Sequence, residues 1–280
     1  MQLSMETVVL RNKFGDETAI RMLKEAGFDG IDYSFYWPGT PERNMLGEDY
    51  ISQAREVKSY LKTMDMSCLQ AHAPLNPRPV ASLELSDPTC LELIRSIEFS
   101  GILGVKTLVV HAITPPEGRG LIEYNLEFYR FLEPFAREAG VRIAVENLFG
   151  PPLERPEQMT EILQNLNSEQ FTGCLDVGHS MYSGIKPQDF LRSVPRGLIT
   201  VLHIQDQQLG KRQDLHFPPF FYEIEWNELL KALKEYGYSG EMNLEVFAYL
   251  WRFPNELLPA ALTFAAQIGR ELIRRFESDI

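Results

Sequence analysis

The sequence has 280 residues, 44% of them hydrophobic, and a formal net charge of −12. That charge disfavours broad contact with phosphate backbones or an anionic membrane, and no apolar run approaches the roughly 20 residues that a membrane-spanning helix needs. The start, MQLSMETVVL, lacks a basic region followed by an apolar stretch, and the three cysteines, Cys68, Cys90 and Cys174, show no CxxC spacing; both read as an unexported cytoplasmic protein with buried thiols and a small-molecule partner.

Short runs rich in Val, Ile and Leu alternate with longer segments of helical period, the pattern of a parallel sheet wrapped by helices. A first strand is expected near Met5–Leu10, then a helix capped by Asp16 and ended by Gly27, then a second strand in GIDYSF, Gly30–Phe35. Glu48–Met64 reads as a helix, Met66–Ala73 as a strand, Asp87–Leu103 as a helix with Pro88 in its first turn, and Lys106–Ala112 as the fourth strand. Leu121–Ala139 reads as a helix interrupted by Pro134, Arg142–Leu148 as a strand, Pro156–Leu166 as a helix and Thr172–His179 as the sixth strand. A helix at Pro187–Val194, a strand at Leu198–Asp206, a helix at Trp226–Tyr236, a strand at Glu241–Phe247 and a closing helix at Asn255–Phe276 complete eight units. The expected fold is an α/β (β/α)8 TIM barrel forming a single domain over residues 1–280, with an open doubly wound sheet as the alternative.

In such a barrel the chemistry belongs at the C-terminal ends of the strands. Four of the five histidines fall there: His72, His111, His179 and His203, with His216 in the loop that follows. Glu146, Asp176 and Glu245 end the fifth, sixth and eighth strands after hydrophobic runs. Three carboxylates facing one barrel mouth repel each other unless a cation sits between them. Glu146, Asp176, His203 and Glu245 offer three oxygens and one nitrogen, a set suited to one divalent metal among Mn²⁺, Co²⁺, Mg²⁺ and Zn²⁺. Gly178 reads as a tight turn between Asp176 and His179. Asp206, Asp214 and His216 form a second polar group, with Asp214 and His216 on one side of an extended segment.

The stretches AHAP at 71–74, VHA at 110–112, VEN at 145–147, LDVGH at 175–179, LHIQD at 202–206, DLH at 214–216 and LEV at 244–246 resemble, in this order, the xylose isomerase-like barrel superfamily. That superfamily includes sugar and sugar-phosphate isomerases and epimerases and the endonuclease IV type of apurinic endonuclease. The resemblance implies that Glu146, Asp176, His203 and Glu245 hold the shared metal and that His179 contacts substrate or a further metal. It also places His72, His111, Asp214 and His216 at positions that complete a multinuclear zinc cluster in the endonuclease branch. Asp32 stands where many relatives carry Glu, which puts an inherited substrate contact there in doubt.

A nuclease that flips a lesion out of a bent duplex needs Lys and Arg around its mouth. The basic loop residues here, Arg78, Arg119, Arg155, Lys186, Lys211, Arg212 and Arg252, are scattered among acids. Nucleic acid is therefore the less favoured partner and a carbohydrate the favoured one, in a chain that forms a homodimer or homotetramer if its aromatic loops are exposed. Aromatic residues after the second strand (Tyr33, Phe35, Tyr36, Trp37) and the eighth (Phe247, Tyr249, Trp251) suit a sugar-sized pocket or loop packing. The expected reaction is proton transfer beside a carbonyl, with Glu146 and Glu245 as the catalytic pair and His179 orienting a hydroxyl. Dehydration, with His179 or Lys211 as the acid, uses the same site.

Overall fold

A computed structural model of the chain describes residues 1–37, 39–40, 43–75, 80, 82–150 and 153–278. Eight strands make one parallel sheet: β1 (Leu3–Glu6), β2 (Gly30–Ser34), β3 (Ser67–His72), β4 (Thr107–Val110), β5 (Arg142–Glu146), β6 (Phe171–Asp176), β7 (Ile199–His203) and β8 (Met242–Leu244). They follow one another in chain order, with β8 beside β1. The remaining seam, between β7 and β8, is bridged at Ile204 and Leu244. There the Ile204 amide donates to the Asn243 carbonyl at 2.8 Å and the Glu245 amide to the Ile204 carbonyl at 3.0 Å. An open sheet would leave both strands as edges, so the fold is the (β/α)8 TIM barrel. All residues of β2 and β6 are buried, as expected for strands of a parallel sheet covered on both faces.

Helices α1 (Val8–Phe14), α2 (Asp16–Ala26), α3 (Tyr50–Thr63), α4 (Pro88–Leu103), α5 (Leu121–Ala139) and α6 (Pro156–Leu166) precede β6, and α7 (Val177–Tyr182) and α8 (Pro187–Ser193) follow it. Then come α9 (Trp226–Tyr236), the one-turn α10 (Phe247–Leu250) and α11 (Leu258–Glu277). Local chemistry sets their ends. Asp87 caps α4 by accepting from the Thr89 and Cys90 amides at 2.8 and 3.3 Å, with Pro88 in the first turn, and Gly27 ends α2 in a left-handed conformation at φ 100°.

Four expectations need correction. The first strand stops at Glu6, and Val8, Val9 and Leu10 open α1, buried on its core-facing side; a short apolar run serves a strand or a buried helical turn equally well. Gly15, not Asp16, stands at the cap of α2, and Asp16 is its first residue. Helix α5 runs uninterrupted through Pro134, because Tyr124, Phe128, Tyr129 and Leu132 bury its inner face and Tyr129 ties it to the Val110 carbonyl at 3.0 Å. Finally, β6 ends at Asp176, and His179 lies in α7.

Candidate active site

The barrel mouth is organised around Glu146, the last residue of β5 and fully buried. Its Oε1 lies 3.0 Å from His203 Nδ1 and 3.4 Å from His179 Nδ1; its Oε2 lies 2.7 Å from His111 Nε2 and 3.1 Å from His72 Nε2. Burial alone would raise this carboxyl, but the imidazoles of His203 and His111 outweigh it and hold Glu146 well below the usual carboxylate range. Glu245 follows β8, with Oε2 3.2 Å from His203 Nδ1. Against burial, His203 and then His216 pull it down to about 2. Asp176 has less cationic company, and burial, only partly offset by His179, pushes it up to about 6.

The Asp176 carboxylate has two roles. Its Oδ1 accepts from the His179 amide at 2.7 Å and so caps α7, and it also stands with Glu146, His203 and Glu245, one donor atom from each lying within 4.8 Å of the others. Glu245 Oε2 is buried without a hydrogen-bond partner. Three carboxylates, one imidazole and an orphaned oxygen fit a hard or borderline divalent cation, which would satisfy that oxygen and neutralise the repulsion among the acids.

A second group, His179, Asp214 and His216, also converges within 4.8 Å, as do His72, Glu146 and His203. His216 Nε2 lies 2.8 Å from Asp214 Oδ2, and His179 Nε2 lies 3.7 Å from Asp214 Oδ1. Although buried, His216 is raised to about 9 by Asp214. The segment is not extended as expected, since His216 takes φ 44°; this turn, with the His216 amide donating to Gln205 Oε1 at 2.9 Å, swings the ring onto Asp214. Asp206 does not join the group. It binds the long loop after β7 instead, accepting from the amides of Gln207, Tyr222 and Ile224 at 2.9, 2.9 and 3.2 Å.

Residues 20–268 match the family model described as xylose isomerase-like TIM barrel. The chain belongs to this family. It is 29% identical over 227 residues to the uncharacterized protein MJ1188 of Methanocaldococcus jannaschii, covering 78% of this chain and 79% of that one. With the uncharacterized protein y4fM of Sinorhizobium fredii it shares 24% over 261 residues, covering 82% and 81%. Among solved structures it is similar to a D-tagatose 3-epimerase-like protein (TM-score 0.75, 19% identity, 99% of this chain and 97% of that one). It is also similar to a zinc-bound IolI protein (TM-score 0.69, 20% identity, 99% and 98%).

In this xylose isomerase-like barrel His111 and His179, both beside Glu146, line a cavity of about 250 Å³ whose walls also include Tyr36, Leu148, Phe149, Asp214 and Phe247. Tyr36 is held from behind by Arg11, whose guanidinium donates to the Tyr36 carbonyl at 2.6 Å. Of the aromatic residues proposed for the pocket, only Tyr36 and Phe247 line it. Tyr33 and Phe35 pack against Phe99 in the core, Tyr249 against Phe253, and Trp251 lies under Lys13 at the surface. The exposed Lys211 does not line the cavity, and Arg78 lies outside the described residues.

Sequence reasoning missed Asn147, Gln205, Leu148 and Phe149. Asn147 locks β5 to β6: its Oδ1 accepts from the Asp176 amide at 2.7 Å and its Nδ2 donates to the Asp176 carbonyl at 2.9 Å. Gln205 Nε2 lies 3.2 and 3.1 Å from the two Asp176 oxygens. Gly178 makes this possible through its size, not through a tight turn: it sits inside α7, and a Cβ there would stand 2.3 Å from Gln205 Cδ. Gly178→Ala is therefore expected to dislodge Gln205 and weaken divalent-metal binding about tenfold, as loss of a hydrogen bond behind a ligand typically does. Titration calorimetry with Mn²⁺ checks this, and an unchanged affinity would show that Gln205 does not hold Asp176.

Proposed function

We propose that the protein is a divalent-metal-dependent isomerase or epimerase acting on a sugar, keto-sugar or sugar phosphate. The observation that carries this reading is the buried Glu146–Asp176–His203–Glu245 quartet, joined through Glu146 to His111 and His179, which line a small cavity together with aromatic and aliphatic side chains. Such apolar walls suit the C–H faces of a sugar, and the polar side chains among them suit its oxygens. When bound, a cation in the quartet supplies Lewis-acid polarisation of the substrate carbonyl. Glu146 and Glu245 come from different strands, so one removes the proton beside the carbonyl while the other returns a proton. Return to the opposite face of the same carbon gives an epimer, and return to the neighbouring former carbonyl carbon gives the aldose–ketose isomer. His179 Nδ1 lies 2.9 Å from the Asn147 carbonyl, which leaves Nε2 toward Asp214 and the cavity to orient a hydroxyl. The solved structures similar to this chain include a D-psicose 3-epimerase with D-fructose, which supports a ketose as the first class to test.

A second reading, a multi-zinc phosphodiesterase on abasic DNA, has one observation in its favour: all three histidine-carboxylate groups converge. Two observations count against it. His72 Nδ1 lies 3.0 Å from the Ala73 carbonyl, and its Nε2 lies 2.8 Å from the Tyr36 hydroxyl and 3.1 Å from Glu146 Oε2, so both ring nitrogens have partners within the protein. Several loop cations are also engaged, Arg119 with Glu127, Lys186 with Glu225, and Arg252 over the Phe217 ring, which leaves little to grip a phosphate backbone.

Incubating the Mn²⁺-loaded protein with a ketose panel in D₂O tests the proposal. The expected result is deuterium at the carbon beside the carbonyl together with an epimer or aldose. No exchange on any ketose, with cleavage of abasic DNA instead, overturns it.

A further inference from the structure

Asp32 does not line the cavity. It is fully buried on β2, and its Oδ2 accepts from Gln70 Nε2 at 2.8 Å and Asn243 Nδ2 at 2.9 Å, while Asn243 is itself held through Oδ1 by the Ser4 hydroxyl at 2.9 Å. Four strands thus place one carboxylate in a polar layer below the mouth, and its Oδ1 is left without a hydrogen bond. His203 lies above it. The His203 ring turns Nδ1 toward Glu146 and Glu245, and its Nε2, also buried and without a hydrogen bond, lies 3.8 Å from Asp32 Oδ2. An unsatisfied ring nitrogen beside an under-satisfied carboxylate calls for an explanation, since buried polar atoms are nearly always paired.

We propose that Asp32 is a positioning residue that keeps the His203 ring proton on Nε2, so that the Nδ1 lone pair is presented to a cation held by Glu146, Asp176 and Glu245. The inference rests on the reading of that quartet as a metal site. A ligating imidazole typically donates its other N–H to a carboxylate or carbonyl, which fixes both tautomer and ring orientation. A shift of under about 1 Å brings the present 3.8 Å gap into hydrogen-bond range. This also accounts for Asp rather than Glu at position 32: the acid serves the metal ligand from below and does not reach for substrate. The other group beside His203 is the buried Cys174 thiol, a weak acceptor.

Asp32→Asn is the sharpest test. The amide oxygen keeps the Oδ2 place that accepts from Gln70 and Asn243 and faces His203 Nε2, and the amide nitrogen takes the Oδ1 place. The acceptor left to His203 is then neutral and already holds two bonds, so it draws the ring proton to Nε2 more weakly, and a proton on Nδ1 blocks the quartet. The expected result is a 10- to 100-fold loss of Zn²⁺ affinity by titration calorimetry, with Cys174→Ala unchanged. Nitrogen-15 spectra at a fixed Zn²⁺ concentration should show His203 protonated on Nε2 and bound through Nδ1 in the parent chain, and should lose that pattern in Asp32→Asn. Equal affinity of Asp32→Asn and the parent overturns the proposal, as does a loss confined to Cys174→Ala. If Asp32→Asn fails to fold, the spectrum of the Zn²⁺-saturated parent decides: a protonated Nε2 supports the inference, and zinc on Nε2 overturns it. A parent chain that takes up no divalent metal overturns the metal-site reading itself, and this inference with it.

Discussion

Glu146→Gln is expected to lower kcat/KM by roughly 10³-fold or more, the upper part of the range for loss of a positioned general base, and Glu245→Gln to do the same by removing the partner. The two variants should differ in how far they disturb the surrounding histidines. Glu146 is the common partner of His72, His111, His179 and His203, so an amide there presents an NH₂ to at least one ring nitrogen and disturbs the whole histidine shell. Glu245 faces His203 at 3.2 Å and His216 at 3.8 Å, and its replacement disturbs two rings. Metal affinity should therefore fall further in Glu146→Gln than in Glu245→Gln, while both keep the barrel, whose core is a large cluster of buried apolar residues. Steady-state kinetics with circular dichroism and calorimetry checks each part. Turnover retained in both variants would remove the two glutamates from the chemistry.

The barrel and the quartet were legible for one reason: strands buried on both faces show as apolar runs, and an acid or imidazole at the end of such a run has no solvent to face. Glu146, Asp176, His203 and Glu245 all carry that signature, and the structure brings their donor atoms together. The supporting residues carry no such signature. Gln205 is a neutral amide in a loop, and only the space over Gly178 reveals that it lies across Asp176. Asp32 reads from the sequence as an acid on the second strand where relatives place a substrate contact, yet it is buried among Gln70 and Asn243. Its height in the barrel depends on strand register and on the irregularity between Ile31 and Asp32, which periodicity does not encode. Phe149 follows the fifth strand as the other aromatic candidates follow the second and eighth, and a lone aromatic residue in a loop carries no mark of its own; it stands edge-on to His179 with ring centroids 5.1 Å apart.

Metal titration is expected to give one tightly coupled site per chain, with an affinity that falls as pH falls. Burial alone would push the proton off His203, but Cys174, Glu245 and Glu146 around it hold its pKa well above the ordinary histidine value. A cation must displace that proton to reach Nδ1. Each pH unit below the folded-state pKa of His203 should therefore cost about tenfold in affinity, with release of one proton per metal. Glu146 and Glu245 are held ionised and release none, whereas Asp176, raised to about 6, takes up a second proton below that pH and steepens the loss. At a free metal concentration 100 times Kd, linkage adds about 2.7 kcal/mol to stability, which for a chain of this size is a rise in Tm of roughly 5–10 °C that EDTA reverses. The stoichiometry separates the two readings of the site. One exchangeable metal per chain matches a quartet flanked by a His72 already bonded to Tyr36 and a His216 already paired with Asp214. Two or three zinc ions that resist chelation would mean that those side chains give up their partners to become ligands. His72, His111, His179, Asp214 and His216 would then form, with the quartet, one polynuclear centre, and abasic DNA would take precedence over any sugar as the substrate to assay.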